Sequence, residues 1–368
     1  MDTTDPNIEF NLAGLCSHCI NFDERISKEW SPQGSRFEEI LPRIQRIRKQ
    51  GRDLPYDCII GISGGLDSSY VAYVAKEVFE LRPLLFHVDA GWNTKHAVEN
   101  VGKIVSGLKL DLYTEVINWE EMRDLQVAFL RSQVADQDLP QDLAFFSSLY
   151  KFAVENGYKY IITGGNFSTE CIREPMAWGA YYGTDTVYVK DIHSRFGSIP
   201  LSTFPRVDIL KYKIYDKFVH GLEVVKLLDY VQFTKKDAEA LLNTKFGWKP
   251  FQHKHHESIF TRFYESFWLP RKFGFDKRRA HFSSLILTGQ MKRVDALMRL
   301  ETPELDDAAL FREFDYVAKK LGLTPQGLRE IFEKRPNLDY SDYKNNLWLI
   351  SFGTKLMQMV GVEKRRFQ

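Results

Sequence analysis

The stretch that most constrains this chain is Asp57-Cys58-Ile59-Ile60-Gly61-Ile62, then Ser63-Gly64-Gly65, then Leu66-Asp67-Ser68-Ser69-Tyr70. The apolar run reads as a buried strand, and Leu66 to about residue 80 reads as a helix. A strand, a Gly-Gly turn and a helix N-terminus together make an anion site. Glycines let the backbone come close to a ligand, and the first helical N–H groups have no intrahelical partner. Ser63 and Ser68 add hydroxyl donors. A carboxylate in such a cradle needs a cation between it and the anion, so Asp67 is read as a Mg²⁺ carrier. The competing reading is an ordinary turn with a capped helix. The Gly-x-x-x-x-Gly-Lys-Ser/Thr loop of γ-phosphoryl transfer is absent.

After this unit the patterns alternate. Strands are expected at 57–62, 84–89, 112–116 and 159–164, with helices at about 94–107, 119–133 and 141–156 between them. Near-continuous apolar strands separated by helices predict a parallel sheet covered on both faces. Ligands of such sheets bind at the carboxyl ends of the strands. Three polar clusters fall there: Ser63–Ser68, Asp89–Asn93 and Gly164–Glu170. Asp89 suits a ribose, a share in Mg²⁺, or a cap on the next helix. Gly164-Gly165-Asn166 is a second glycine turn, which closes over a nucleotide or carries the acceptor. Glu170 is a Mg²⁺ or substrate ligand, or a charge at a helix start. From about residue 175 the alternation fades into an aromatic–glycine loop (Trp178, Gly179, Tyr181, Tyr182, Gly183), suited to stacking or to packing. Residues 206–368 read mostly helical, for example at 234–243, at 307–321 and after Thr324-Pro325.

The chain has 368 residues, more than one core usually serves. Three parts are expected: an arm at 1–50, an α/β domain at 51–190 and a mainly α-helical substrate or partner domain at 191–368. The arm carries Cys16-x-x-Cys19, and three readings stand together: half a zinc site, a metal-free thiol pair, and a redox pair. His18, His253, His255 or His256 would be the completing ligand in the first. Trp30-Ser31-Pro32-Gln33-Gly34 reads as extended and turn-rich. Residues 36–50 have helical spacing, with Pro42 inside as a kink or restart. With 50 Lys+Arg against 49 Asp+Glu, no dominant nucleic-acid or anionic-membrane surface is expected. No apolar run approaches the ~20 residues of a membrane span. The polar N-terminus is no secretory signal, and the few cysteines fit a reducing cytoplasm.

Residues 252–293 mix charge, histidine and aromatics without facing them apart, unlike a solvated amphipathic helix. Two readings stand: an anionic-substrate pocket using Arg262, Lys272, Arg278 and Arg279, with Glu257, His256 or His281 as acid/base or ammonia-positioning groups, and an ion-pair network or docking face.

The Ser-Gly-Gly-Leu-Asp-Ser-Ser run resembles the pyrophosphate-loop (PP-loop) signature of the N-type ATP pyrophosphatases, the adenine nucleotide α-hydrolase-like fold. These cleave ATP between the α and β phosphates and adenylate a substrate oxygen. Nearly the whole chain resembles the N-acetyl sugar amidotransferases of surface-polysaccharide (lipopolysaccharide, O-antigen) biosynthesis. The matching pieces are Met1-Asp2-Thr3-Thr4-Asp5-Pro6, Gly14-x-Cys16-x-x-Cys19, Gly61-x-Ser63 to Ser69, Asp89-Ala90-Gly91-Trp92-Asn93-Thr94 and Thr163-Gly164-Gly165-Asn166 through Glu170. They continue with His256-Glu257-Ser258, Lys272-Phe273-Gly274-Phe275-Asp276-Lys277-Arg278-Arg279-Ala280-His281 and Gly289-Gln290-Met291. Relatives carry another Cys-x-x-Cys just before the segment matching Met1-Asp2-Thr3, where this sequence begins.

The resemblance implies ATP held by Gly61, Ser63, Gly64, Gly65, Asp67, Ser68, Val88, Asp89, Gly164 and Gly165, with Mg²⁺ on Asp67 and Asp89. It implies catalytic roles for Asp67, His256 and Glu257. A nucleotide-linked N-acetyl sugar would meet Asn166, Glu170, Arg262, Lys272, Arg278, Arg279 and His281, and structural Zn²⁺ would take Cys16 and Cys19. The acetamido group would become an acetamidino group, with AMP and pyrophosphate released. Neither Cys58 nor Cys171 stands in a nucleophile-elbow pattern, and residue 2 is Asp2, so ammonia is expected from a separate glutaminase subunit, with a synthase-like adaptor as a further partner. Two alternatives remain: a tRNA-modifying thiolase relaying sulfur through cysteines, and a nucleotide-binding module without turnover.

Overall fold

The computed structural model describes residues 1–30, 36–183, 185–208 and 211–359, without the side chains of 212–214 and 354–359. The expected turn at Ser31–Gly34 lies outside these residues. Five parallel strands form one sheet: β1 (Cys58–Gly61), β2 (Pro83–Asp89), β3 (Leu112–Val116), β4 (Tyr160–Thr163) and β5 (Glu223–Lys226), in the order β3-β2-β1-β4-β5. The order runs outward in both directions from β1, so the chain reverses between β1 and β4. In a parallel sheet that reversal opens a crevice at the carboxyl ends of the two strands.

The period of two along the strands divides the core. Cys58, Ile60 and Ile62 face one side with Leu85, Ile162 and Val225. There they meet Ile40, Ile44 and Ile47 of the helix Phe37–Gly51, Val71 and Ala75 after β1, and Ile104. Ile59, Phe86 and Ile161 face the other side, against Met122, Leu125, Phe129, Leu143 and Ala144 of the helices Trp119–Ser132 and Leu139–Glu155. Both faces are covered, as the apolar strands require. Pro42 does not break its helix, which is continuous from Phe37 to Gly51.

β5 lies in the part of the sequence expected to be mainly helical, where no strand is expected. Glu223-Val224-Val225-Lys226 offers only two apolar residues between charges, because an edge strand is half-exposed. It pairs with β4 from Tyr160↔Glu223 to Thr163↔Lys226. The sheet therefore extends past residue 190. Beyond it the chain is helical, as expected. The helix Lys235–Phe246 packs on the sheet layer through Ala238 and Leu242. Pro325–Glu333 starts on the Thr324 cap, whose Oγ1 accepts from Gly327 N. A third core joins Phe260, Phe263, Trp268, Phe314, Val317 and Leu328 to Trp92, Val127 and Leu130. The arm is less extended than expected, with short helical turns from Ser17 to Glu29. Its Phe22, Ile26 and Trp30 pack with Ile172 and Trp178. Trp178 and Tyr181 of the aromatic–glycine loop are buried, and Trp178 Nε1 donates to Thr4 O at 2.9 Å, so these two rings pack. No helix among the described residues is long and apolar enough to cross a membrane.

Candidate active site at the β1–β4 crevice

A cavity of about 910 Å³ opens at this crevice. Its floor is built from Ser63, Gly65, Leu66, Asp67 and Ser68 after β1, and from Gly164, Gly165, Thr169 and Glu170 after β4. Two glycines permit this floor. Gly64 has φ +85°, and a Cβ there would lie 2.4 Å from Ala97 O; a Cβ on Gly164 would lie 2.7 Å from the backbone carbon of Asp67. The second contact is what lets the β4 turn close against the first turn of the helix Leu66–Tyr73. That helix has Gly65 at its N-cap and no side-chain cap. The Gly64 carbonyl is fixed from behind by Trp248 Nε1 at 3.0 Å and Asn100 Nδ2 at 3.3 Å.

The hydroxyls of the loop serve its own backbone. Ser68 Oγ accepts from Ser63 N at 3.2 Å, and Ser63 Oγ accepts from Gly65 N at 3.3 Å. Asn166 holds the second turn. Its Oδ1 accepts from Thr169 N, and its Nδ2 donates to Gly164 O at 2.9 Å and to Asp67 Oδ1 at 3.3 Å. Asn166 is thus buried behind the floor and does not line it. Gln290 explains the Gly289-Gln290-Met291 motif: its Nε2 donates to Ser168 O and its Oε1 accepts from Lys235 N, which fixes the turn before Glu170.

The opposite wall comes from residues 252–304, including His253, Lys254, His255, Glu257, Arg278, His281 and Glu304. A short antiparallel bridge, Asn93↔Ser258, brings it there, with Thr94 N donating to Glu257 O and Ile259 N to Trp92 O. Ser63 Oγ then donates to Glu257 Oε1 at 3.2 Å. Lys254 Nζ donates to Glu170 Oε1 at 2.6 Å and stands 3.7 Å from Asp67 Oδ2. Sequence reasoning gave Lys254 no role. The signal that locates it is tertiary, because the turn carrying it holds His255 at φ +61°, a conformation few non-glycine residues adopt.

The charges of the wall are strongly shifted. Burial raises Asp67 to about 6, against the pull of Lys254. Burial also opposes the charge on Glu170, but Lys254 overrides it and holds that carboxyl at about 2. His255 loses solvation but gains Glu265 Oε1 at 3.2 Å, which lifts it to about 9. His281 is pushed well below its usual range by burial and by Lys254 and His255, so it stands as a neutral imidazole.

Gly61 ends β1, and Val88 is buried in the second core. Asp89 Oδ1 accepts from Gly91 N at 2.8 Å and Asn93 Nδ2 at 3.2 Å, and the residue does not line the cavity. The cap of the following helix is Thr94. His256 is buried, 3.5 Å from Glu304 Oε2 and off the lining. Arg262 pairs with Glu313. Lys272 Nζ donates to Phe332 O at 2.5 Å and Lys334 O at 2.6 Å. Arg279 meets Asp2 at 2.5 Å. None of these three lines the cavity. Arg278 does, but its guanidinium is held by Asp276 and the carbonyls of Arg299, Leu300 and Thr302. The stretch therefore divides: Arg262, Lys272 and Arg279 are engaged away from the cavity, while Glu257, Arg278 and His281 line it.

Cys16 Sγ and Cys19 Sγ lie 3.4 Å apart, while His18 turns away to Asp5 Oδ2 at 2.7 Å. His253 and His256 face Glu304, and His255 faces Glu265. Among the described residues, no group of three or more His, Cys, Asp or Glu side chains is arranged to hold a metal. Magnesium at a polyphosphate needs less, since one or two carboxylates and the phosphates suffice. Asp67 and Glu170 fit that need: both line the cavity and both face the same cation, Lys254.

Residues 257–357 match the family described as LPS biosynthesis protein WbpG-like, C-terminal domain. An uncharacterized protein of Methanocaldococcus jannaschii, MJ1599, is 30% identical over 176 residues, which cover 45% of this chain and 57% of that protein. The U34-tRNA thiolase NcsA of Methanococcus maripaludis, solved with its [4Fe-4S] cluster, is 14% identical. The alignment covers 73% of this chain and 82% of that one, with a TM-score of 0.32. The NH3-dependent NAD synthetase of Campylobacter jejuni, solved with nitrate, is also 14% identical, over 82% of this chain and 98% of that one, with a TM-score of 0.31. The family match begins at Glu257, in the wall that faces the glycine-rich loop across the cavity, so residues 257–357 are similar to the WbpG-like C-terminal domains of LPS biosynthesis proteins.

Proposed function

We propose that the protein is an ATP-dependent, AMP-forming amidotransferase that converts the N-acetyl group of a nucleotide-linked sugar, of the UDP-sugar class, to an acetamidino group. One observation carries the reading. Glu257, the first residue of the LPS-biosynthesis segment, accepts a hydrogen bond from Ser63 of the glycine-rich loop. An ATP-type loop and a polysaccharide-biosynthesis domain thus share one cavity.

In this reading Ser63, Gly64, Gly65 and Ser68 cradle the pyrophosphate end of ATP, and the uncapped helix start behind Gly65 favours its charge. Asp67 with Glu170 would hold Mg²⁺, which would supply charge neutralisation for the pyrophosphate leaving group. The acetamido oxygen attacks the α-phosphate, pyrophosphate departs, and ammonia then displaces AMP, which leaves carrying that oxygen. Glu257 receives protons, and the neutral His281, too weak a base for that, orients the acceptor and ammonia. The closed wall keeps water from the adenylated sugar. Cys58 and Cys171 are buried, with their thiols pushed up, Cys171 to about 11. Neither lines the cavity, in keeping with ammonia from a separate glutaminase subunit and an adaptor.

The test is to incubate the purified protein with Mg·ATP, ammonium chloride at alkaline pH and a panel of UDP-N-acetyl sugars. AMP, pyrophosphate and a sugar lighter by the difference between O and NH are expected. AMP without a changed sugar indicates hydrolysis of the adenylated sugar for want of the ammonia-delivering partner. No AMP with any sugar overturns the reading and makes tRNA the next acceptor to try.

A further inference from the structure

Lys254 has no part in the reading above, yet it stands at the centre of the cavity. Three segments meet at its ammonium: Asp67 on the first turn after β1, Glu170 on the turn after β4, and Lys254 on the strained turn before Glu257. The turn is held on one side by Thr94 N to Glu257 O, and on the other by His255 Nδ1 to Glu265 Oε1. Lys254 is about four-fifths buried. Besides the two carboxylates, Glu257 and His255 also interact electrostatically with it. Two carboxylates facing one another across a desolvated gap repel, and the ammonium between them is what lets both stay ionised.

These are the same two carboxylates that fit a magnesium ion. A lysine ammonium at 3.7 Å and a divalent cation cannot both rest against Asp67 without strong repulsion. A flexible four-carbon stem gives Lys254 somewhere else to go. Phosphates seated on Ser63–Ser68 would offer that place.

We propose that Lys254 is a tethered counter-cation: it competes with the divalent metal for Asp67 in the free protein, and turns to the nucleotide phosphates once metal and nucleotide are seated. This rests on the reading of the loop as an ATP site. It makes metal binding conditional on the nucleotide, so the bare site does not fill with metal.

The test measures two affinities with opposite expected signs. Mn²⁺ binding without nucleotide is followed by electron paramagnetic resonance, and Mg·ATP binding by calorimetry, for wild type and for Lys254→Gln. The variant should bind Mn²⁺ alone at least about tenfold more tightly and Mg·ATP at least about tenfold more weakly. A purely structural role would weaken both, and that result, or no change in either, overturns the proposal. Should Lys254→Gln fail to fold, Lys254→Arg serves. With the charge kept, it should hold Mn²⁺ alone no more tightly than wild type, and a tightening overturns the proposal. Neither readout needs turnover, so a protein that makes no AMP can still pass, and an active amidotransferase can still fail.

Discussion

At the carboxyl ends of β1 and β4 the cavity floor is set by close backbone approach: Gly164 lets the β4 turn touch Asp67, Gly64 packs on Ala97, Gly65 lies under Glu257, and the hydroxyls of Ser68 and Ser63 accept from Ser63 N and Gly65 N. Across from it the wall is side chain, Lys254 on Glu170 and His255 on Glu265, backed off the lining by Lys277 between Glu265 and Glu174. The floor is limited by volume and tolerates little added bulk. The wall is limited by charge balance, and a change of size matters less there than an unpaired ion. This difference predicts how each half should fail.

The largest effect is expected at Gly164→Val. A Cβ there meets the backbone of Asp67 at 2.7 Å, and no side-chain movement relieves it. ATP binding should fall by at least about 100-fold, which is roughly 2.8 kcal/mol, measured by calorimetry on the folded variant. Near-wild-type affinity would mean the two turns are not held as described. Next is Glu257→Gln, which keeps size and removes charge. Turnover should drop by about 100-fold while ATP affinity stays within about threefold. If ATP affinity falls with it, Glu257 belongs to the nucleotide half.

Third is stability. Lys277 is largely enclosed between Glu174 at 2.9 Å and Glu265 at 3.4 Å. Lys277→Met strands Glu174, leaves Glu265 with His255 alone, and should destabilise the fold by roughly 3–5 kcal/mol in urea unfolding. A loss of only a few tenths would mean the network is solvated. Fourth is the pH dependence of the His255–Glu265 pair. Its histidine is raised from 6.5 to about 9, and its glutamate lowered from 4.5 to about 2. The stabilisation is complete between about pH 4.5 and 6.5. It fades as pH rises through about 9 and as it falls through about 2. The stability gap between wild type and His255→Gln should therefore shrink from pH 6.5 to 9.5, and a constant gap would contradict the pairing. The smallest effect is at Lys272→Met, whose ammonium is committed to the carbonyls of Phe332 and Lys334. KM for sugar and ATP should stay within about twofold, whereas a large rise in sugar KM would put Lys272 in the substrate site after all.

The same contrast explains what could be read from the sequence. The β1 loop was legible because its chemistry is local: strand, glycines, hydroxyls and helix follow one another within a dozen residues. Four of the five strands were legible from their apolar runs. β5 was not, because Glu223-Val224-Val225-Lys226 owes its place to pairing with β4 and not to its own pattern. In the C-terminal wall the sequence marked a stretch that lines the cavity in part, without ranking its residues. Arg262, Lys272 and Arg279 look like phosphate ligands in one dimension and are engaged elsewhere in three. Lys254 looks like one more basic residue until the strained turn at His255 aims it between Asp67 and Glu170. Which cation reaches which carboxylate depends on the whole fold.

The most direct test of the central claim, that one cavity joins ATP cleavage to the acetamido group of a sugar, is to follow an oxygen. A UDP-N-acetyl sugar carrying heavy oxygen in its acetamido carbonyl is incubated with the protein, Mg·ATP and ammonium, and the AMP is analysed by mass spectrometry. The account predicts that the label leaves the sugar and appears in AMP. AMP formed without label, while the sugar keeps its heavy oxygen, would contradict it.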